Sequence, residues 1–172
     1  LRPKEPYTRM LMASVPSMTP PERVPHTGDM AIDVSGLNKI YGRTGWLVRD
    51  RVVHAAQGVE FHVHKGETLG IVGESGSGKS TVARCIARLI EPTSGIIRLH
   101  GTQIADLPES RLRPHRRRVQ IVFQDPYRSL NPRRMIGLSL IEAPINFGVP
   151  RDKAIETARG LMELVGLSGD AL

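Results

Sequence analysis

"GIVGESGSGKSTVARCIARLI", residues 70–90, decides how the rest of the chain is read. Within it, Gly73-Glu74-Ser75-Gly76-Ser77-Gly78-Lys79-Ser80 satisfies the spacing G-x-x-x-x-G-K-[ST] at every fixed position. Glycines allow the backbone to curl so that successive N–H groups point inward at phosphate oxygens, where a side chain would block their approach. Lys79 supplies a positive charge for the β- and γ-phosphates, and Ser80 offers a hydroxyl to Mg²⁺. The helix that begins there turns its positive dipole end toward the anion. Gly73, Ser75, Gly76, Ser77, Gly78, Lys79, Ser80 and Thr81 are therefore the candidate nucleotide-binding residues. A chance glycine turn would not be placed between an apolar strand and an amphipathic helix.

Working outward, "ETLGIVG" before the loop reads as a short apolar strand, and Val82, Ala83, Ile86, Leu89 and Ile90 after it recur at helical spacing up to "EPTSG". "AIDVSGLNKIY" reads as strand. "VEFHVHKGE" alternates Val59, Phe61 and Val63 inward with Glu60, His62 and His64 outward. "GIIRLHG" and "VQIVFQ" are further strands, and helices are expected over 136–143 and 151–166. Strands alternating with helices around a phosphate loop give an α/β class. Residues 1–28 differ: "EPYTRMLMASV" predicts a short helix with Pro6 near its start, followed by an extended linker rich in proline.

The 172 residues suffice for one ordinary domain but hardly for two. Hydrophobic residues make up 40% and charged residues 24%, the balance of a soluble globular protein, and no apolar run reaches the ~18 residues of a membrane span. "MLMASVPSM" is too short and too broken by proline for a secretory signal. The one cysteine, Cys85, allows no internal disulfide and sits where a small packing residue belongs; a reducing compartment is expected. His62 and His64 share a strand face but have no acid or cysteine set at metal-ligand spacing, which favours solvent exposure. Net charge is +7, and residues 111–134, with eight arginines against Asp125, account for all of it. Such a window attracts nucleic acid, anionic lipid or an acidic protein surface, or is simply a solvated face.

A phosphate loop alone does not choose between kinases, GTPases and transport motors. "VQIVFQDPYRSLNPR", residues 119–133, resembles the Q-loop region of ATP-binding-cassette (ABC) ATPases, and with "GESGSGKST" it looks like the oligopeptide and dipeptide importer branch of that family. The resemblance implies that Gln124 contacts Mg²⁺ and the attacking water, and that the loop after it touches a transmembrane partner. Chemically, a neutral amide can ligate a hard cation and accept from water at once. The resemblance also implies an adenine-stacking aromatic, best matched by Tyr41 in "LNKIYG", ahead of an insertion, "RTGWLVRDR". It covers residues 29–172, in which the family's L-S-G-G-Q signature, Asp-Glu strand and switch histidine do not occur; "LSGD" at 167–170 shares only three letters.

The fold expected is thus an incomplete P-loop NTPase core of the ABC ATPase type, with residues 29–172 its N-terminal part. Residues 1–28 would be a linker or, since "EPYTRMLMASVP" is similar to the tail of a cassette in the same branch, the end of a preceding cassette. Leu1 in place of methionine fits a processed chain or a fragment. The function implied is ATP binding, with ATP and Mg²⁺ as cofactors, to energise uptake of peptides or related solutes in a longer parent. Partners implied are transmembrane permease subunits, a second cassette and, indirectly, a solute-binding protein, with no nucleic acid; the chain itself would sit peripherally at the cytoplasmic face of the inner or plasma membrane. The alternatives are a nucleic-acid-associated P-loop ATPase and a non-catalytic nucleotide-binding module. On its own this chain is expected to be inactive in hydrolysis.

Overall fold

The computed structural model describes residues 4–15, 28–42, 44–45, 48–49, 51–123, 125 and 130–169. Helix α1 (Pro6–Ala13) carries no buried residue, and Pro6 occupies its first turn, where a missing N–H costs nothing. The proline-rich linker expected after it lies outside the described residues.

Strand β1 (Met30–Tyr41) is the centre of an antiparallel sheet, flanked by β4 (Val53–His64) on one side and β5 (Ser94–Leu99) on the other, with β6 (Thr102–Gln103) at the edge. The insertion after Tyr41 forms a short antiparallel backbone ladder of β2 (Thr44–Gly45) with β3 (Val48–Arg49). Asn38 locks the β1 irregularity to both neighbours. Its Nδ2 donates to the Gly36 carbonyl at 2.8 Å and to Ser94 Oγ at 3.1 Å, while its Oδ1 accepts from the Gly58 N–H at 2.9 Å.

One face of the sheet is covered by α2 (Lys79–Ile86) and α3 (Glu109–Arg116). Val34, Leu37, Ile97 and Leu99 from the strands meet Val82 and Cys85 from α2 and Leu112 from α3 in a single buried cluster. Cys85 is fully buried there, as expected of a packing residue, and burial pushes its thiol pKa up. Arg88, just beyond α2, is the one buried charged residue among those described. Its Nε donates to the Ile104 carbonyl and its Nη2 to the Leu107 carbonyl, each at 3.0 Å, so the phosphate-loop helix is tied to the segment that leads into α3. A second, smaller cluster joins α4 (Ile136–Asn146) to α5 (Arg151–Leu164) through Ile141, Ala154 and Ala158.

Two expected strands are absent. "ETLGIVG" and the described part of "VQIVFQ" have no strand conformation, and Val72 and Val122 are 92% and 97% exposed. Both segments are apolar on consecutive residues, the pattern of a strand covered on both faces. Such a strand forms only against neighbours that satisfy its backbone groups, and none of the described residues supplies a ladder there. The opposite error concerns α3, which periodicity did not announce because Pro114 lies inside it.

Candidate phosphate-binding site

The loop between residues 73 and 78 enters α2 through Gly78, which occupies the N-cap position with φ 92°, in the left-handed region. A Cβ at Gly78 would collide with the Ala55 carbonyl oxygen, so the loop is seated directly on the backbone of β4. Gly76 is also left-handed, with φ 83°, but has open space around it. The loop therefore needs glycine at 76 for conformation and at 78 for conformation and close approach.

Lys79 folds back over this turn. Its Nζ donates to the carbonyls of Gly73 at 2.8 Å and Glu74 at 2.6 Å, and lies 3.4 Å from Ser77 Oγ. No acid among the described residues pairs with it, so its charge is held in place by neutral acceptors and remains uncompensated. The first turn of α2 is anchored by the Val82 N–H donating to the Gly78 carbonyl at 2.9 Å. Gly76, Gly78, Lys79, Ser80 and Thr81 line one wall of a cleft of about 200 Å³; Val53, His54 and Ala55 of β4 line the other. That volume suits a polyphosphate tail more than an entire nucleotide, whose base would sit at the mouth.

Tyr41 does not line this cleft but neighbours it by register. It is paired with Val53, itself a lining residue, and its ring is half-exposed. The Lys39 ammonium lies 4.9 Å from the ring centroid, a cation–π contact, and also donates to the Glu91 carbonyl. Gln124 falls outside the described residues, as do 126–129 of the same loop, and the geometry says nothing of them. Ser75 and Ser77 belong to the exposed outer turn; Gly73 closes its base. Sequence reasoning missed Val53, His54 and Ala55, because Gly58, with φ 55°, interrupts the alternation and hides the first half of β4.

His62 and His64 do meet, edge to face at 5.3 Å, but His64 is half-buried, not solvent-exposed: its Nδ1 lies 3.1 Å from Glu67 Oε2, which also accepts the His64 backbone N–H at 2.7 Å. Among the described residues no group of three His, Cys, Asp or Glu side chains is placed to hold a metal ion. Mg²⁺ bound together with a nucleotide does not need one, since that ion keeps several waters and takes one hydroxyl plus phosphate oxygens. Ser80, on the cleft wall, fits that modest requirement.

The sequence model of the family described as ABC transporter matches residues 56–171. The chain belongs to the ABC transporter family. It is 48% identical over 143 residues to a probable peptide ABC transporter ATP-binding protein, y4tS, of Sinorhizobium fredii, covering 81% of this chain and 40% of that protein. It is 38% identical to the glutathione import ATP-binding protein GsiA of Escherichia coli K12, across 96% of this chain and 31% of the relative. The chain thus spans well under half the length of these relatives. Among solved structures, cbiO1 from Clostridium perfringens, part of the transporter complex cbiONQ, superposes with a TM-score of 0.61 at 25% identity over 81% of this chain and 51% of that one. The ATP-binding cassette MJ0796, dimeric and bound to ADP and Pi in a post-hydrolysis state, superposes with a TM-score of 0.58 at 25% identity over 73% of this chain and 54% of that one. These neighbours place the chain in the α/β class of ABC ATPases, with a partial sheet formed among the described residues.

Proposed function

We propose that this chain is the nucleotide-binding part of an ABC importer that energises uptake of peptides or related solutes such as glutathione. The observation that carries the nucleotide assignment is Lys79, its charge unpaired by any described acid, folded over a glycine turn that is seated on β4 beside an open cleft. The solute class rests on the named functions of the two relatives, a peptide transporter and a glutathione importer. Gly73, Ser75, Gly76, Ser77 and Gly78 would present the loop's N–H groups to the phosphates. Lys79 would exchange its carbonyl partners for phosphate oxygens, a charge-assisted contact roughly twice as strong as a neutral one. Ser80 and Thr81 would hold the metal-bound end, and Tyr41 would stack on adenine. Gln124 would sense the γ-phosphate, ligating Mg²⁺ and orienting water.

Domain organisation follows the same reading. Residues 29–172 form the first part of a cassette, and residues 1–28 belong to a preceding cassette or a linker; two facts support this. No residue of helix α1 is buried, and similarity to GsiA reaches across 96% of the chain, leaving too few residues uncovered to omit 1–28. In the parent, transmembrane permease subunits and a second cassette would complete the machine at the cytoplasmic face of the membrane.

The test is uptake of labelled glutathione or a tripeptide by proteoliposomes holding the parent protein with its permease. ATP-dependent uptake that Lys79→Ala abolishes is the expected result. Undiminished uptake by Lys79→Ala overturns the role given to the loop, and ATP-dependent uptake of neither solute overturns the substrate class.

A further inference from the structure

The arginine window contains a built cleft that the nucleotide reading does not use. Ser110, Arg113 and Pro114 of α3 and its C-cap residue Arg117 recur at intervals of three, one and three residues, which places them on one face of the helix and its last turn. Leu112 faces the core instead, buried to 3% exposure. With Arg118, and with Asn146 and Phe147 at the end of α4, that face encloses a cleft of about 490 Å³. It is the more spacious of this cleft and the one beside the phosphate loop, which holds about 200 Å³.

Its charge is unbalanced by construction. The only acid on α3, Glu109, is committed to Arg116 on another side of the helix, with Arg116 Nη2 at 2.7 Å and Nε at 2.9 Å. No carboxylate lines the cleft. Arg113 spends one donor on the Asn146 carbonyl, a long contact of 3.4 Å. Arg117 and Arg118 have no recorded side-chain partner among the described residues. The carbonyl ends of α3 and α4 help to hold these cations by their helix dipoles, but carbonyl partial charges do not neutralise three guanidinium groups. Each guanidinium offers five donors in a planar fork that matches tetrahedral oxyanions two oxygens at a time. A phosphate group carries more charge and more acceptor oxygens than a carboxylate, and the half-exposed Phe147 ring forms an apolar wall beside it.

We propose that the cleft between α3 and the end of α4 is a second anion site, separate from the phosphate loop, which takes a phosphate-bearing ligand of at least two negative charges. A soluble pyrophosphate-type ion and the headgroup of a doubly charged phospholipid share this chemistry, and the experiment separates them.

The full 172-residue chain is titrated with inorganic pyrophosphate while the side-chain Nε–H and backbone amide resonances are followed. In parallel it is sedimented with phosphatidylcholine vesicles containing cardiolipin. Residue-resolved shifts at Ser110, Arg113 and Asn146 keep this site distinct from the phosphate loop. The decisive variant is Arg113→Lys with Arg117→Lys and Arg118→Lys, which keeps charge but loses the fork. Arg111→Lys with Arg133→Lys is the control off the cleft, and thermal melts check that all remain folded. Expected is binding of one of the two probes, weakened at least ~10-fold by the triple Lys variant and within about twofold of the parent in the control. Pyrophosphate binding assigns a soluble ligand; vesicle binding alone assigns a lipid headgroup. Binding of neither probe, or equal binding by parent and triple Lys variant, overturns the proposal.

Discussion

Lys79 lines the loop cleft, whereas Tyr41 adjoins it only through its register partner Val53, so the two should fail in different ways when changed. If a purine stacks on the Tyr41 ring, Tyr41→Ala should weaken ATP binding by about tenfold and leave tripolyphosphate affinity unchanged, while Tyr41→Trp restores ATP. Competitive titration of the two ligands reads this directly. Loss of both affinities, or of neither, removes Tyr41 from the site. At this scale the sequence was informative where chemistry forces residue identity. Gly78 has to be glycine because its φ is 92° and the Ala55 carbonyl fills the space of a Cβ, and the motif spacing already marks it. Val53, His54 and Ala55 were not legible, since Gly58 breaks the alternation of β4 and Ala55 meets the loop through its carbonyl, which any residue type supplies.

Elements tell a different story, because their formation depends on neighbours as well as on pattern. The helices α4 and α5, the strands β1 and β5 and the second half of β4 were legible from periodicity and punctuation, as each has its partner nearby in sequence or on the same sheet; α1 was legible from Pro6 at its start. "ETLGIVG" and "VQIVFQ" carry the right composition for strand, yet composition cannot supply the adjacent ladder. Helix α3 defied its internal Pro114 because three things outweigh one lost hydrogen bond: Leu112 buried in the core, Glu109 in the first turn, and its pairing with Arg116. That pairing makes α3 sensitive to acid. The hydrogen bond from Arg116 holds the Glu109 carboxyl below its ordinary value, and the same bond raises Arg116. A depressed carboxylate contributes stability above its unfolded pKa, and that contribution is lost as pH falls through the folded value. Amide exchange in α3 should therefore accelerate, relative to α5, as pH drops below the ordinary carboxylate range. In Glu109→Gln that extra acceleration should vanish; its persistence would assign the acid response elsewhere.

For the whole molecule, the balance is between a compact sheet with its helices and an apolar surface that the described residues leave uncovered at Leu69, Ile71, Val72, Val122 and Phe123. The chain spans 31–40% of its relatives' length, and binding and turnover should separate accordingly. Phosphoryl transfer to water needs an oriented nucleophile and neutralised charge on the γ-phosphate, and these 172 residues contain neither the Asp-Glu strand nor the signature loop. Steady-state assays should find turnover at background in this chain and well above it in a longer chain that carries both motifs. Equal turnover in the two, lost in Lys79→Ala, would contradict that division. Binding itself is the central claim, and calorimetric titration of MgATP into the folded 172-residue chain and its Lys79→Ala variant measures it most directly. A saturable one-to-one isotherm, weakened about 10- to 150-fold in a variant with the same far-ultraviolet spectrum, is the result predicted from loss of a charge-assisted phosphate contact. Equal affinity in parent and variant would contradict it.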